Sequence, residues 1–170
     1  YTVEFANWDK PLTALRLEVI PDDSLPEKGP GRSRNGNFVL SEVKLTLGDS
    51  ADSGVAVPLH SAKADTTQET FDAEQVLDGK PQTGWGVGGF AGKPHQLTFQ
   101  LARPVAPDRG GKLFLRLEQN HAAASHVIGR FRVLGSSDVT VESIAPAIVV
   151  KVLDEEPNRR NPALIPPLYA

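Results

Sequence analysis

The chain has 170 residues, no cysteine and a formal net charge of −3. That length suits one domain, with or without an appendage, and the missing cysteines exclude disulfides, thiolate catalysis, iron–sulfur clusters and thiolate zinc sites. The mild acidity and the lack of a basic stripe argue against nucleic acid as a partner, and no apolar run approaches the ~20 residues of a membrane span.

In chain order, "TVEFA" at 2–6 reads as a short strand. Trp8 follows in "ANWDKP", a turn where its ring either stacks on a sugar face or covers the edge of the fold. "LTALRLEVI" at 12–20 gives the strongest alternation: Leu15, Leu17 and Val19 face inward, between Arg16 and Glu18. Residues 21–36, "PDDSLPEKGPGRSRNG", form a long connection. "NFVLSEVKLTL" at 37–47 repeats the alternation, with Val43, Leu45 and Leu47 on one side and Glu42, Lys44 and Thr46 on the other. A shorter strand is expected at 55–62 and a helical turn at 71–77, "FDAEQVL". "HQLTFQLA" at 95–102 turns Leu97, Phe99 and Leu101 inward, and "KLFLRLEQ" at 112–119 does so with Leu113, Leu115 and Leu117. A second long connection, "QNHAAASHV" at 119–127, precedes "IGRFRVLGSS" at 128–137, where Gly129 marks a slip of register.

Short strands with one wet face each, separated by many of the chain's fourteen prolines and fifteen glycines, predict an all-β antiparallel sandwich over 1–140. From 141 the composition changes. Residues 141–170 read as a C-terminal extension or linker, helical around Ile144 and Ile148 or irregular. The chain begins without methionine or a signal-like run, which reads as a processed protein or a piece of a larger one.

Enzyme motifs are absent or out of context. Gly84, Gly86 and Gly89 spell GxGxxG, but a turn precedes them, and Phe90, Gly92 and Pro94 stand where a phosphate-binding helix should begin. No nucleophile elbow or P-loop occurs. Asp22, Asp23, Asp65 and Asp72 read as solvated loop acids, not as the paired carboxylates of glycoside cleavage. His60 and His95 read as strand-end residues; His121 and His126 flank an alanine-rich loop and either pack locally or meet a metal or a sugar. Asp78-Gly79 with Thr83 offers hard oxygen ligands of the kind calcium takes, or forms a plain turn.

"FDAEQVLDGKPQTGWGV" followed by "HQLTFQLARPV" resembles the discoidin and galactose-binding-like jelly rolls. Together with "LTALRLEVIPDDSLPEKGPGRSRNGNFVLSEVKL" and "HVIGRFRV", it resembles the carbohydrate-binding-like module of large planctomycete proteins that also carry cytochrome-c-type haem domains. The resemblance covers about residues 1–136. It implies a jelly roll of about eight strands in an exported, periplasmic or extracellular polypeptide, with a non-catalytic role in holding polysaccharide. It also implies a structural calcium at the Asp-Gly turn, with Asp78 and Thr83 as ligands and Lys80 and Gln82 contributing backbone oxygens only. No haem-attachment motif is present, so redox chemistry would belong to neighbouring domains.

Within that pattern Trp85 is either a plug at the end of the core or a sugar platform. Arg32, Arg34, Asn35 and Asn37 from the first long loop, with Asn120, His121 and His126 from the second, make a polar sugar cleft. Arginine forks suit carboxylate or sulfate groups, so the polysaccharide is expected to be anionic. The competing expectation is an interdomain scaffold without glycan binding.

Overall fold

The computed structural model describes residues 1–138, apart from 7, 91, 108–110 and 123–124. The expected extension at 141–170 lies outside the described residues. Eight strands form two antiparallel sheets. The first sheet runs β1 (Thr2–Phe5), β7 (Lys112–Glu118), β3 (Glu42–Gly48), β4 (Val55–Ala56). The second runs β5 (Leu59–Ala64), β6 (His95–Val105), β2 (Leu12–Val19), β8 (Phe131–Ser136).

Alternation in the sequence becomes the sandwich core. Leu15, Leu17 and Val19 of β2 and Leu97, Phe99 and Leu101 of β6 are buried with Val43, Leu45, Leu113, Leu115 and Leu117 of the other sheet. Each strand turns one side chain in two toward the facing sheet, and burial of those side chains is the dominant favourable contribution to folding. The outer faces carry the polar partners: Arg16 is exposed between buried Leu15 and Leu17.

Three expected elements differ in extent. The 71–77 turn is a 3₁₀ turn, Ala73–Leu77, started by a capping box in which Asp72 accepts from the chain and Gln75 returns the bond. The strand expected at 37–47 begins its ladder at Glu42, because Val39 and Leu40 bond elsewhere, to His126 and Trp85. The strand expected at 55–62 is two strands in different sheets, β4 and β5, separated at Pro58, which has no backbone N–H to continue a ladder.

Strand directions place the long connections. The segments that follow Val19, Ala64 and Glu118 all leave from one end of the sandwich, whereas Phe5, Leu12, Val105 and Lys112 mark the other end. The core extends into the first end, where Phe38, Leu40, Val76, Trp85, Val87 and Ile128 are buried.

Candidate functional site

The first and last of these loops are hydrogen-bonded to each other. Arg32 N–H donates to the Val127 carbonyl at 2.8 Å, Val39 N–H to His126 at 3.0 Å, and Gly31 bridges Ile128. A Cβ at Gly31 would run into the Asn37 carbonyl, so the loop closes on itself only with glycine there. Ser33 Oγ stands 2.8 Å from the Asn37 carbonyl and 2.5 Å from Asn35 Oδ1. The backbone and its small polar groups thus satisfy one another, and the long side chains of Arg32 and Arg34 extend outward, exposed and without an ion pair among the described residues. Arg34 and Asn35 line an open depression of about 590 Å³ with Glu27, Gly89 and Gly92.

Asn37 is different. It is 3 % exposed, its Oδ1 accepts from Val87 N–H at 3.0 Å and its Nδ2 donates to Gln68 Oε1 at 2.8 Å. Gln68 Oε1 also accepts from Gly88 N–H, and Gln68 N–H donates to the Gly86 carbonyl. Asn37 is therefore a bracket that pins the glycine-rich segment, and it leaves the set of sugar contacts.

Trp85 leaves it too. Its ring is 0 % exposed, its edge meets Phe38 at 5.1 Å between centroids, and Nε1 donates to the Thr66 carbonyl at 2.8 Å. Preceding it, Gly84 holds φ +150°, and a Cβ there would collide with the Leu40 carbonyl. The glycines bring the backbone close enough to pair Trp85 with Leu40 and seat the ring in the core. The aromatic of this loop that does reach solvent is Phe90, 52 % exposed, with its ring against His95. Nothing in the local sequence distinguishes Phe90 from Trp85, since which ring is buried is set by the pairing of Trp85 with Leu40.

His121 and His126 are brought together, 5.7 Å between ring centroids, and His121 also meets Phe71 edge-on. His126 Nδ1 is buried without a hydrogen-bond partner. Among the described residues no third histidine, cysteine or carboxylate joins them as a metal cluster. Asn120 is exposed nearby, its N–H on Ser41 Oγ and its Nδ2 3.4 Å from Glu118. Trp8 lies in the 6–11 connection, at the opposite end from the arginines, half-buried against the core with Nε1 buried and unpartnered. The loop cleft and Trp8 therefore do not form one site.

The Asp78 turn holds a cluster of oxygens. Thr83 Oγ1 lies 2.8 and 3.0 Å from the two Asp78 oxygens and 3.0 Å from the Lys80 carbonyl. One hydroxyl proton cannot serve three acceptors at once. Lys80 N–H donates to Asp78 Oδ1 at 2.8 Å. Glu42, read from the alternation as an outward residue, is only 6 % exposed because this turn covers it, and its Oε1 is buried without a partner. Burial and the charge of Asp78 raise the Glu42 pKa above the ordinary carboxylate range. Desolvation acts the same way on Asp78, but the Lys80 N–H, the Thr83 hydroxyl and the Lys80 charge outweigh it and lower its pKa. Two carboxylates of unlike character, a hydroxyl and a carbonyl are a donor set that suits a hard cation. Sequence spacing pointed to Asp78 and Thr83, and the resemblance added Lys80, but neither pointed to Glu42, which comes from a distant strand.

Comparison with protein-family models, curated proteins and solved structures gave no match for this chain.

Proposed function

We propose that this sandwich is a galactose-binding-like jelly-roll module of a larger exported polypeptide, and that it holds acidic polysaccharide without catalysis through the loops at one end. The observation carrying this reading is the exposed pair Arg32 and Arg34, without an ion pair among the described residues, on a loop whose backbone is fixed by bonds to 126–128. A fixed loop presenting guanidinium forks gives up little conformational entropy on binding and matches carboxylate or sulfate bidentately. Asn35, Asn120 and Phe90 supply neutral hydrogen bonds and a ring face around them. His121 and His126, from the second loop, complete the set.

Calcium fits the oxygen cluster as a structural ion. Asp78, Glu42, Thr83 Oγ1 and the Lys80 carbonyl would hold it, and its charge would offset the repulsion between the two carboxylates. Holding Glu42 to Asp78 fixes the 3₁₀ turn onto β3 and with it the start of the segment that runs to Trp85.

The test is binding of the chain to neutral, uronic and sulfated polysaccharides, with and without a calcium chelator. Saturable binding to acidic glycans, lost in Arg32→Gln/Arg34→Gln with the fold intact, is the expected result. Absence of binding to every glycan, with the fold intact, overturns it in favour of an interdomain scaffold beside haem or catalytic domains.

A further inference from the structure

The outer face of the second sheet differs in charge from that of the first. On the first sheet the cations are neutralised: Lys44 by Glu118 at 2.7 Å, Lys112 by Glu4 at 2.9 Å, and Arg116 by Asp52. On the second, both carboxylates already have partners. Glu18 pairs with Arg132, while Asp65 is held by His95 Nδ1 at 3.1 Å and by the Gln96 N–H at 3.0 Å. Apart from Arg103 near the end of β6, Arg16 and Lys63 remain, exposed and without an ion pair or side-chain hydrogen bond among the described residues.

These two cations belong to one row of the sheet. Lys63 is the register partner of Thr98, and Thr98 is the partner of Arg16. Two inter-strand steps separate them, about 10 Å between backbones. Short side chains keep the space between them low. Thr98 lines two adjoining depressions, one of about 300 Å³ with Ser61, Lys63 and Gln100, the other of about 210 Å³ with Ala14, Arg16 and Ser136. The result is a shallow trough across β5, β6, β2 and β8. Hydroxyls and amides line it beside the apolar Ala64 and Leu134, a cation stands on each side of its middle, and Asp65, held by His95 and the Gln96 N–H, borders its β5 end.

We infer that this trough is a second glycan site, distinct from the loop end, that takes an extended polysaccharide bearing sulfate or carboxylate groups. The two positive charges, on backbones two strands apart, engage anionic groups on successive repeats of the chain. Ser61, Gln100 and Thr98 hydrogen-bond the hydroxyls between them. Only a ligand with both features satisfies the whole trough: a neutral glycan leaves Arg16 and Lys63 uncompensated, and a simple anion leaves the amides unused.

The proposal extends the loop-end reading but does not depend on it, and one experiment separates them. Dextran sulfate and neutral dextran are titrated against the 170-residue chain while backbone amide shifts are followed. Dextran sulfate is expected to move Arg16, Lys63, Thr98 and Gln100, with affinity falling at least tenfold in Arg16→Gln/Lys63→Gln and changing less in Lys44→Gln/Lys112→Gln, which removes the same charge from the other face. If Arg32→Gln/Arg34→Gln abolishes loop shifts while the trough still responds, the two sites are separate. The trough assignment is overturned if its amides do not move, if both charge-matched variants weaken binding equally, if neutral dextran binds as well, or if single-stranded DNA binds the same row as tightly. All four positions are on outer faces, and amide mapping of the wild-type chain decides the matter even where a variant folds poorly.

Discussion

The indole Nε1 of Trp85 donates to the Thr66 carbonyl at 2.8 Å from inside the core. That bond explains how a large polar-tipped ring is tolerated at zero exposure: its one donor is satisfied by the loop that follows β5. Trp85 thereby ties the glycine-rich segment to that loop and closes the end of the sandwich under the candidate sugar cleft.

Trp85→Phe removes the donor, leaves the Thr66 carbonyl without this bond and opens a small cavity. The expected loss is about 2 kcal/mol of stability, read by urea unfolding, while glycan affinity of the folded variant stays close to wild type. A large affinity loss with unchanged stability would instead place the ring in the binding site. Fluorescence gives a second check: in Trp8→Phe, the remaining emission from Trp85 should be blue-shifted and insensitive to added glycan.

Asn37 offers a sharper separation of support from contact. Its amide bonds Val87 N–H and Gln68 Oε1 in a buried position. Asn37→Ala leaves the Val87 N–H without its acceptor, at an expected cost of about 1–3 kcal/mol. The released segment includes Gly88 and Gly89, so hydrogen exchange at 86–90 should accelerate more than in the β-strands. Uniform exchange across the chain would refute the bracket role.

The inward faces of β2, β3, β6 and β7 were legible in the sequence because strand alternation is a local signal, and Leu15, Leu17, Leu97 and Leu115 lie where it puts them. Glu42 was not legible. Its period-2 position is outward, and only the Asp78 turn, arriving from beyond β5, buries it. Asn37 was placed among the sugar contacts, and Trp85 was left between core plug and sugar platform, for the same reason: their partners Gln68, Val87 and Thr66 are set by tertiary pairing. A cleft shared by the first and last long loops was an expectation from the sequence, but the Arg32–Val127 and Val39–His126 bonds that join them are set by tertiary pairing.

Glu42 makes the stability of the metal-free protein depend on pH. Its folded pKa is raised by burial and by Asp78, so the protonated form folds more favourably than the ionised one. Its contribution is fully present below the ordinary glutamate range and is lost as pH rises through the raised value. Glu42→Gln should therefore be more stable than wild type at neutral pH in chelator, with the difference vanishing in acid. Calcium should reverse the order. At a hundredfold excess over its Kd it adds about 2.7 kcal/mol to the wild type and much less to Glu42→Gln. Melting curves in chelator and in calcium, at acidic and neutral pH, check both signs; equal calcium stabilisation of the two proteins would remove Glu42 from the site.

Arg34 carries the heaviest demand on the loop-end reading. Its guanidinium borders the depression with Asn35, Glu27 and Gly89 and has no acidic partner among the described residues. A charge-assisted bond to a glycan carboxylate or sulfate contributes about 1.5–3 kcal/mol, so Arg34→Gln should weaken an acidic glycan tenfold or more. Arg34→Lys should recover little of it, because an ammonium lacks the planar fork. Glu27→Gln, which removes the one carboxylate lining that depression, should strengthen the same ligand by relieving repulsion. Calorimetry on the three variants gives opposite signs for Arg34 and Glu27 if an anion occupies the depression. Equal weakening by both would mean that a neutral sugar, bonded to each in turn, sits there instead.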